Sequence, residues 1–408
     1  MFASLSTRFR NLPRLGRFAS IVVPVIVALA LMVGLAGKSM PGLKNVVGAN
    51  KSLAGPLHTS GNEIVDAHGH KVTLTGVNWF GFETGTFAPH GLWTRNWQSM
   101  LDQMVASGFN TIRLPYSNEL FQQTAPPTEG IDYGKNPDLK GLYGIKLMDR
   151  IVKGATDRGL MVLLDQHRPD QYGQSELWYT SKVSEQQWIN DWTMLANHFR
   201  GNPLVIGADL HNEPRGQATW GDGNPKTDWR GAAERAGNAV LKANPDWLVV
   251  VEGIEKVGND SYWWGGNLQG AKTNPVRLSQ PHKLVYSAHD YGPGVYRQNW
   301  FDAKNYPNNM PDLWKKYWSY LNVDGTAPVL IGEFGGKSIA PTTTEGIWQR
   351  TLLNYAKQHN ISYTYWSWNP DSGDTGGVLK NDWQTIDQAK LDVLKQYQAP
   401  RLENTDSR

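Results

Sequence analysis

The chain has 408 residues, 40% of them hydrophobic and 19% charged, which is room for a large core and close to one αβ barrel of usual size. It has no cysteine, which excludes a disulfide framework, a thiolate nucleophile and a cysteine metal cage. The formal charge of +3 is no nucleic-acid signature, because Arg8, Arg10, Arg14 and Arg17, in an opening stretch without acids, outnumber it by themselves. The aromatic load is heavy, with 18 Trp and 16 Tyr. Such a surplus suits a surface that stacks on flat apolar faces, sugar rings included.

Residues 1–37 read as a leader. After the arginines, Phe18 to Gly37 is uncharged and almost wholly apolar, and the small residues Gly34 and Ala36 follow in the manner of an export signal. The run is also long enough to stay as a single membrane anchor with its arginines cytoplasmic. Either way the rest of the chain is expected outside, secreted or tethered facing outward. Residues 38–57, punctuated by Gly and Pro, read as a linker. The stretch "GNEIVDAHGHKVTL", Gly61 to Leu74, predicts a β-hairpin around a His-Gly turn.

Eight apolar strand candidates then alternate with helical patterns. They begin at Val72, Thr111, Leu160, Leu204, Trp247, Lys283, Pro328 and Ile361. Amphipathic stretches such as "NWQSMLDQMVASG" from Asn96 and "GIKLMDRIVKGATDRG" from Gly144 lie between them. Strands that are apolar throughout imply burial on both faces, hence a parallel sheet covered by helices. Eight units predict an α/β fold of the (β/α)₈ TIM-barrel type over residues 58–396, followed by a polar tail, 397–408. An open doubly wound sheet would want a Gly-rich phosphate loop after the first strand, and "NWFGFETG" is a poor match.

In such barrels the chemistry sits at the C-terminal ends of the strands. Here Arg113 follows Thr111-Ile112 and His167 closes the third strand. Asn212 and Glu213 close the fourth, His289 and Tyr291 the sixth, Glu333 the seventh and Trp366 the eighth. Each has a bland alternative: a surface ion pair, a satisfied core histidine, ordinary packing. Unrelated structural roles would not all choose one rim. Two carboxylates facing each other across a cleft can cleave a glycosidic bond, one protonating the leaving oxygen and one acting at the anomeric carbon. Glu333 is expected ionised beside Arg113 and Tyr291, and Glu213 is expected to hold a proton without such support. Asn212 is then placed to donate to a sugar 2-hydroxyl.

The motifs "TIRLPYS", "DLHNEP", "SAHDYG", "IGEFG" and "WSWNPDSGDTGG" resemble those of glycoside hydrolase family 5, over about Leu57 to Leu394. The resemblance is nearest to bacterial endo-β-1,4-glucanases. It implies a retaining double displacement with Glu213 as acid/base and Glu333 as nucleophile. It also implies a shell of Arg113, His167, Asn212, His289, Tyr291 and Trp366 around the sugar at the cleavage point. Trp93, Trp263 and Trp264 would be platforms for neighbouring glucose units. The expected partner is a β-1,4-linked glucan, with no nucleic acid, no membrane beyond a retained leader, and the chain acting as a monomer. No cellulose-binding module follows Leu394, which favours soluble or amorphous β-glucans. Mannan or xylan cleavage by the same chemistry is the near alternative, and a non-catalytic carbohydrate-binding surface protein the distant one.

No cofactor is expected. Asp165 and His167 lack a third metal ligand at suitable spacing, so no metal is predicted. Asp371 and Asp374 resemble a calcium loop only faintly, and a rigid turn is the expectation. Glu252, ending the fifth strand, reads as a third rim carboxylate in a supporting role.

Overall fold

The computed structural model describes residues 51–53, 55–400 and 402–403. The leader and most of the linker lie outside the described residues, and among the latter no helix is long and apolar enough to cross a membrane.

Eight parallel strands close into a barrel: β1 (Thr75–Asn78), β2 (Thr111–Ser117), β3 (Met161–Arg168), β4 (Val205–Asp209), β5 (Leu248–Glu252), β6 (Leu284–His289), β7 (Val329–Glu333) and β8 (Ser362–Tyr365). They pair in chain order, and β8 returns to β1. Each lies within a predicted strand. The hairpin ahead of them pairs His58–Ser60 with Glu63–Val65, one turn earlier than the sequence suggested. The predicted His-Gly turn is present beside it, closed by Asp66, whose carboxylate accepts from the backbone of His68 and His70.

The helices are α1 (Trp97–Ala106), α2 (Ile145–Asp157), α3 (Glu185–His198), α4 (Trp229–Ala243), α5 (Met310–Trp314), α6 (Tyr320–Val323), α7 (Thr344–His359) and α8 (Gln388–Lys395). Their starts are chemically specified. The side chains of Asn96, Ser184, Asp228, Thr343 and Asp387 each accept a first-turn backbone N–H of α1, α3, α4, α7 and α8, satisfying donors that the helix itself leaves unpaired. After β5 the helix is replaced by a 3₁₀ turn at Gln269–Lys272; this Gly- and Trp-rich stretch carries no apolar helical period. The described end of the chain is tied down: Ala399 N–H donates to Thr75 Oγ1, and Leu402–Glu403 pairs in parallel with Lys51–Ser52.

Alternation along each strand builds two cores. Outward residues such as Ile112, Leu114 and Tyr116 of β2 pack under the helices. Inward residues at the lower end form a separate plug with the hairpin, including Ile64, Leu74, Met161, Leu163, Ile206, Leu248, Val250 and Leu330. Burying each is worth about 2 kcal/mol. The register between neighbouring strands shifts three times, once low in β4 and twice near the top, in β3 and β7. One extra residue enters β3 at His167, β4 at Ile206 and β7 at Gly332, against their neighbours' register. A bulge of this kind re-aims the side chains beyond it, and here those are Asp209 and Glu333. Gly332 has to be glycine, because a Cβ there would lie 2.6 Å from Ser287 Oγ and 2.9 Å from His289 Nε2.

Candidate active site

The hub of the upper barrel is Arg113, fully buried on β2. Its Nε donates to Asp209 Oδ2 at 2.8 Å, and Nη1 to Asn78 Oδ1 at 3.0 Å and Glu333 Oε1 at 2.7 Å. Its Nη2 donates to Asn212 Oδ1 at 3.0 Å and Glu252 Oε1 at 3.1 Å, with Asp165 Oδ1 also at 3.1 Å. Burial alone would lower its affinity for a proton, but these carboxylates hold it well above the usual arginine range. The cation is therefore permanent. The crowded acids also shift upward, which for them disfavours the charge: burial pushes Asp209 up to about 7, against the pull of Arg113. It pushes Glu252 up to about 7 as well, against the pull of His289.

Glu333, at the end of β7, has a donor on each oxygen: Arg113 on Oε1, and the Tyr291 hydroxyl on Oε2 at 2.6 Å. Burial, and then the charge of Glu333, raise Tyr291 well above the ordinary phenol range, so it remains a donor. Glu213 is less bare than the sequence suggested. His289 Nδ1 lies 3.0 Å from its Oε1, and its backbone N–H donates to Glu252 Oε2 at 2.8 Å. Burial pulls His289 down, yet the charges of Glu252 and Glu333 and its hydrogen bonds to Glu213 and Glu252 raise it well above the histidine range. Glu213 also sits at φ +54°, a left-handed conformation that a residue with a side chain adopts only under constraint. A carboxylate oxygen of Glu213 and one of Glu333 come within 4.8 Å of each other.

Above them opens a cleft of about 670 Å³, lined by Glu213, Glu333, Tyr291, Trp263, Trp264 and Trp366 among others. Trp366 lies parallel to both His167 and Phe80, with ring centroids 5.2 Å apart in each case. Trp263 is mostly buried and meets Tyr291 edge-on, while Trp264 is half exposed with the Arg215 guanidinium over its ring at 4.2 Å. Arg113, His167, Asn212 and His289 lie beneath the cleft floor. Trp93 stands apart from this lining, on the loop after β1, edge-on to His90 and Trp383.

His167 Nδ1 lies 2.7 Å from Asp165 Oδ2, and burial pulls its ring down to about 3, so it is neutral. His211, under the Asn212-Glu213 turn, faces Gln166 Oε1 at 2.7 Å and is likewise pulled down to about 3 by burial, with Arg215 adding to the effect. Among the described residues three clusters gather possible metal ligands: Asp165 with His167 and Glu333, Glu213 with His289 and Glu333, and Asp165 with Asp209 and Glu252. In each, a carboxylate is already paired with Arg113 or with a ring nitrogen of His289. Asp371 is paired with His90 at 2.8 Å, linking the loops after β8 and β1.

Sequence reasoning missed Asn78 and Asp209. Asn78 is fully buried, its amide nitrogen donating to the carbonyls of Gly332 and Thr364. Its position at the end of β1 was the available signal. Asp209 lay in a quoted motif, but its inward aim depends on the bulge at Ile206.

A closed parallel barrel with paired carboxylates and aromatic walls at its C-terminal mouth defines a glycosidase class of site. The model of the cellulase family, glycosyl hydrolase family 5, matches residues 65–372. An endoglucanase of Paenibacillus polymyxa is 52% identical over 352 residues, covering 86% of this chain and 88% of the relative. The major extracellular endoglucanase of Xanthomonas campestris is 44% identical over 338 residues, covering 82% of this chain and 69% of the relative. A cellotetraose complex of the endocellulase from Pyrococcus horikoshii superposes with a TM-score of 0.79 at 43% identity, covering 86% of this chain and all of that one. The chain belongs to glycosyl hydrolase family 5.

Proposed function

We propose that this protein is an endo-β-1,4-glucanase that cleaves internal bonds of cellulose or soluble β-glucans with retention of anomeric configuration. The carrying observation is the approach of Glu213 and Glu333 to within 4.8 Å across one cleft. Such proximity favours direct attack by a carboxylate over activation of a water held between the two groups, as inversion would require. Relatives named as endoglucanases support the glucan.

In this reading Glu213 delivers a proton from Oε2 to the leaving glycosidic oxygen, its Oε1 being engaged by His289. Glu333 attacks the anomeric carbon and forms a glycosyl ester, while the Arg113 and Tyr291 donors fix its carboxylate for in-line approach. Glu213, now ionised, takes a proton from water, which displaces Glu333 and restores the original configuration. The Asn212 Nδ2 donor is buried without a partner among the described residues, and its Oδ1 is turned away to Arg113. That leaves the amide N–H for the sugar 2-hydroxyl. Trp366 supplies an apolar face at the cleavage point, Trp263 and Trp264 supply faces for neighbouring units, and Trp93 a more distant one. Export through the leader places the enzyme outside the cell, as the Xanthomonas relative's description supports.

The test is product analysis on carboxymethylcellulose, mannan and xylan, with the first-formed anomer read by proton NMR. Reducing ends from the glucan, appearing first as the β-anomer, are expected. Activity confined to mannan or xylan, or a first-formed α-anomer, would overturn the reading.

A further inference from the structure

Glu252 is an upper-rim carboxylate to which the reaction assigns no step. It is fully buried, with both oxygens already engaged by Arg113 and by the backbone N–H of Glu213. A counter-charge for Arg113 does not explain it, since Asp165, Asp209 and Glu333 already surround that guanidinium. Its second oxygen has a different engagement. Glu252 Oε2 accepts the backbone N–H of Glu213 at 2.8 Å, at the residue whose φ of +54° needs an outside restraint. Glu252 Oε1 lies 3.2 Å from His289 Nε2, and the other nitrogen of that ring, Nδ1, lies 3.0 Å from Glu213 Oε1. The contacts form a closed circuit: Glu252 to the main chain of Glu213, and Glu252 through His289 to its side chain.

The neighbourhood is shaped around this circuit. Gly265, at φ +67°, allows the approach, because a Cβ there would lie 2.3 Å from Glu252 Oε2 and 3.2 Å from Glu213 Cα. Trp229 Nε1 donates to the Glu252 carbonyl, tying the residue's own backbone to α4.

We propose that Glu252 is a positioning residue for the proton donor, setting both the backbone conformation of Glu213 and, through His289, the aim of its carboxyl group. This rests on Glu213 being the acid. The consequence is selective. Misplacing the acid slows bonds that need protonation as they break, and spares a leaving group that departs as a stable anion.

The test compares kcat/KM on cellotetraose with that on 2,4-dinitrophenyl β-cellobioside, with thermal unfolding to confirm folding. Glu252→Ala is expected to lose about 10²-fold on cellotetraose and less than about threefold on the dinitrophenyl substrate. Glu252→Gln keeps an oxygen for the Glu213 N–H and is expected to recover at least about tenfold of the loss on cellotetraose. Should Glu252→Ala not fold, Gly265→Ala carries the test: its Cβ pushes on the Glu252 carboxylate, and the same selective loss is expected. Equal losses on the two substrates, or none on either, would overturn the proposal. Glu213→Gln, assayed alongside, separates the two levels. If it shows no preference between the substrates, the acid assignment falls; if it does and the Glu252 and Gly265 variants do not, only the positioning role falls.

Discussion

The two ends of the barrel interior are built from the same strands and follow opposite rules. Along β5 the inward positions run Leu248, Val250 and then Glu252; along β3 they run Met161, Leu163, Asp165 and then His167, the extra residue of its bulge. The lower half excludes water and is stabilised by area. The upper half holds Arg113 amid four buried carboxylates, and such pairs recover little beyond their own desolvation. Stability is concentrated at one end so that the other can hold charges in an arrangement that is costly to fold. Few residues separate the two regimes on any strand.

Three substitutions probe that division. The largest effect is expected at the charged end. Glu333→Ala should lower kcat on a β-glucan by on the order of 10⁴-fold or more without loss of folding. Azide entering the vacated space should restore turnover and give the α-glycosyl azide, identified by NMR; near-normal hydrolysis would contradict the nucleophile role. At the apolar end, Ile64→Ala in the hairpin should remove about 2–5 kcal/mol of unfolding free energy. Denaturant titration reads that loss, and kcat should stay within about twofold because the plug shares no partner with the glutamates. A comparable loss of activity would mean that the halves are coupled.

The smallest effect concerns His211, beneath the site. An exposed histidine takes up a proton near 6.5, whereas this one is held down to about 3 by burial, then by Arg215. Between those values the unfolded chain binds more protons, so this contribution is present above pH 6.5 and is lost as pH falls toward 3. His211→Asn should flatten the dependence of unfolding free energy on pH in that window by up to about one proton. An unchanged slope would show that His211 is protonated in the folded protein.

The barrel was legible because each strand is an unbroken apolar run and its end is marked by polar residues. β2 emerged as "TIRLPYS" to the residue. The two glutamates and their shell were legible for the same reason, since rim positions follow from strand ends alone. What escaped depended on register. The turning of Asp209 into the barrel follows from one extra residue at Ile206, and hydrophobicity carries no trace of it. The setting of Trp93 was hidden differently: its neighbour Trp383 comes from the far end of the chain, and the loop that holds it beside His90 has no periodicity. Support for Glu213 from His289 and Glu252 likewise joins strands that pairing order alone does not bring side chain to side chain.

The apolar plug also governs traffic. With the lower end of the cylinder filled by the hairpin and its strand partners, the cleft is closed off from that side. In the proposed double displacement, the water that completes the cycle would enter from the upper side, where the departing glucan fragment has just left. Under the double displacement proposed above, a sugar hydroxyl arriving there at high oligosaccharide concentration would compete with water for the glycosyl group held on Glu333, so crowding at the cleft would set the balance between shortening chains and rejoining them.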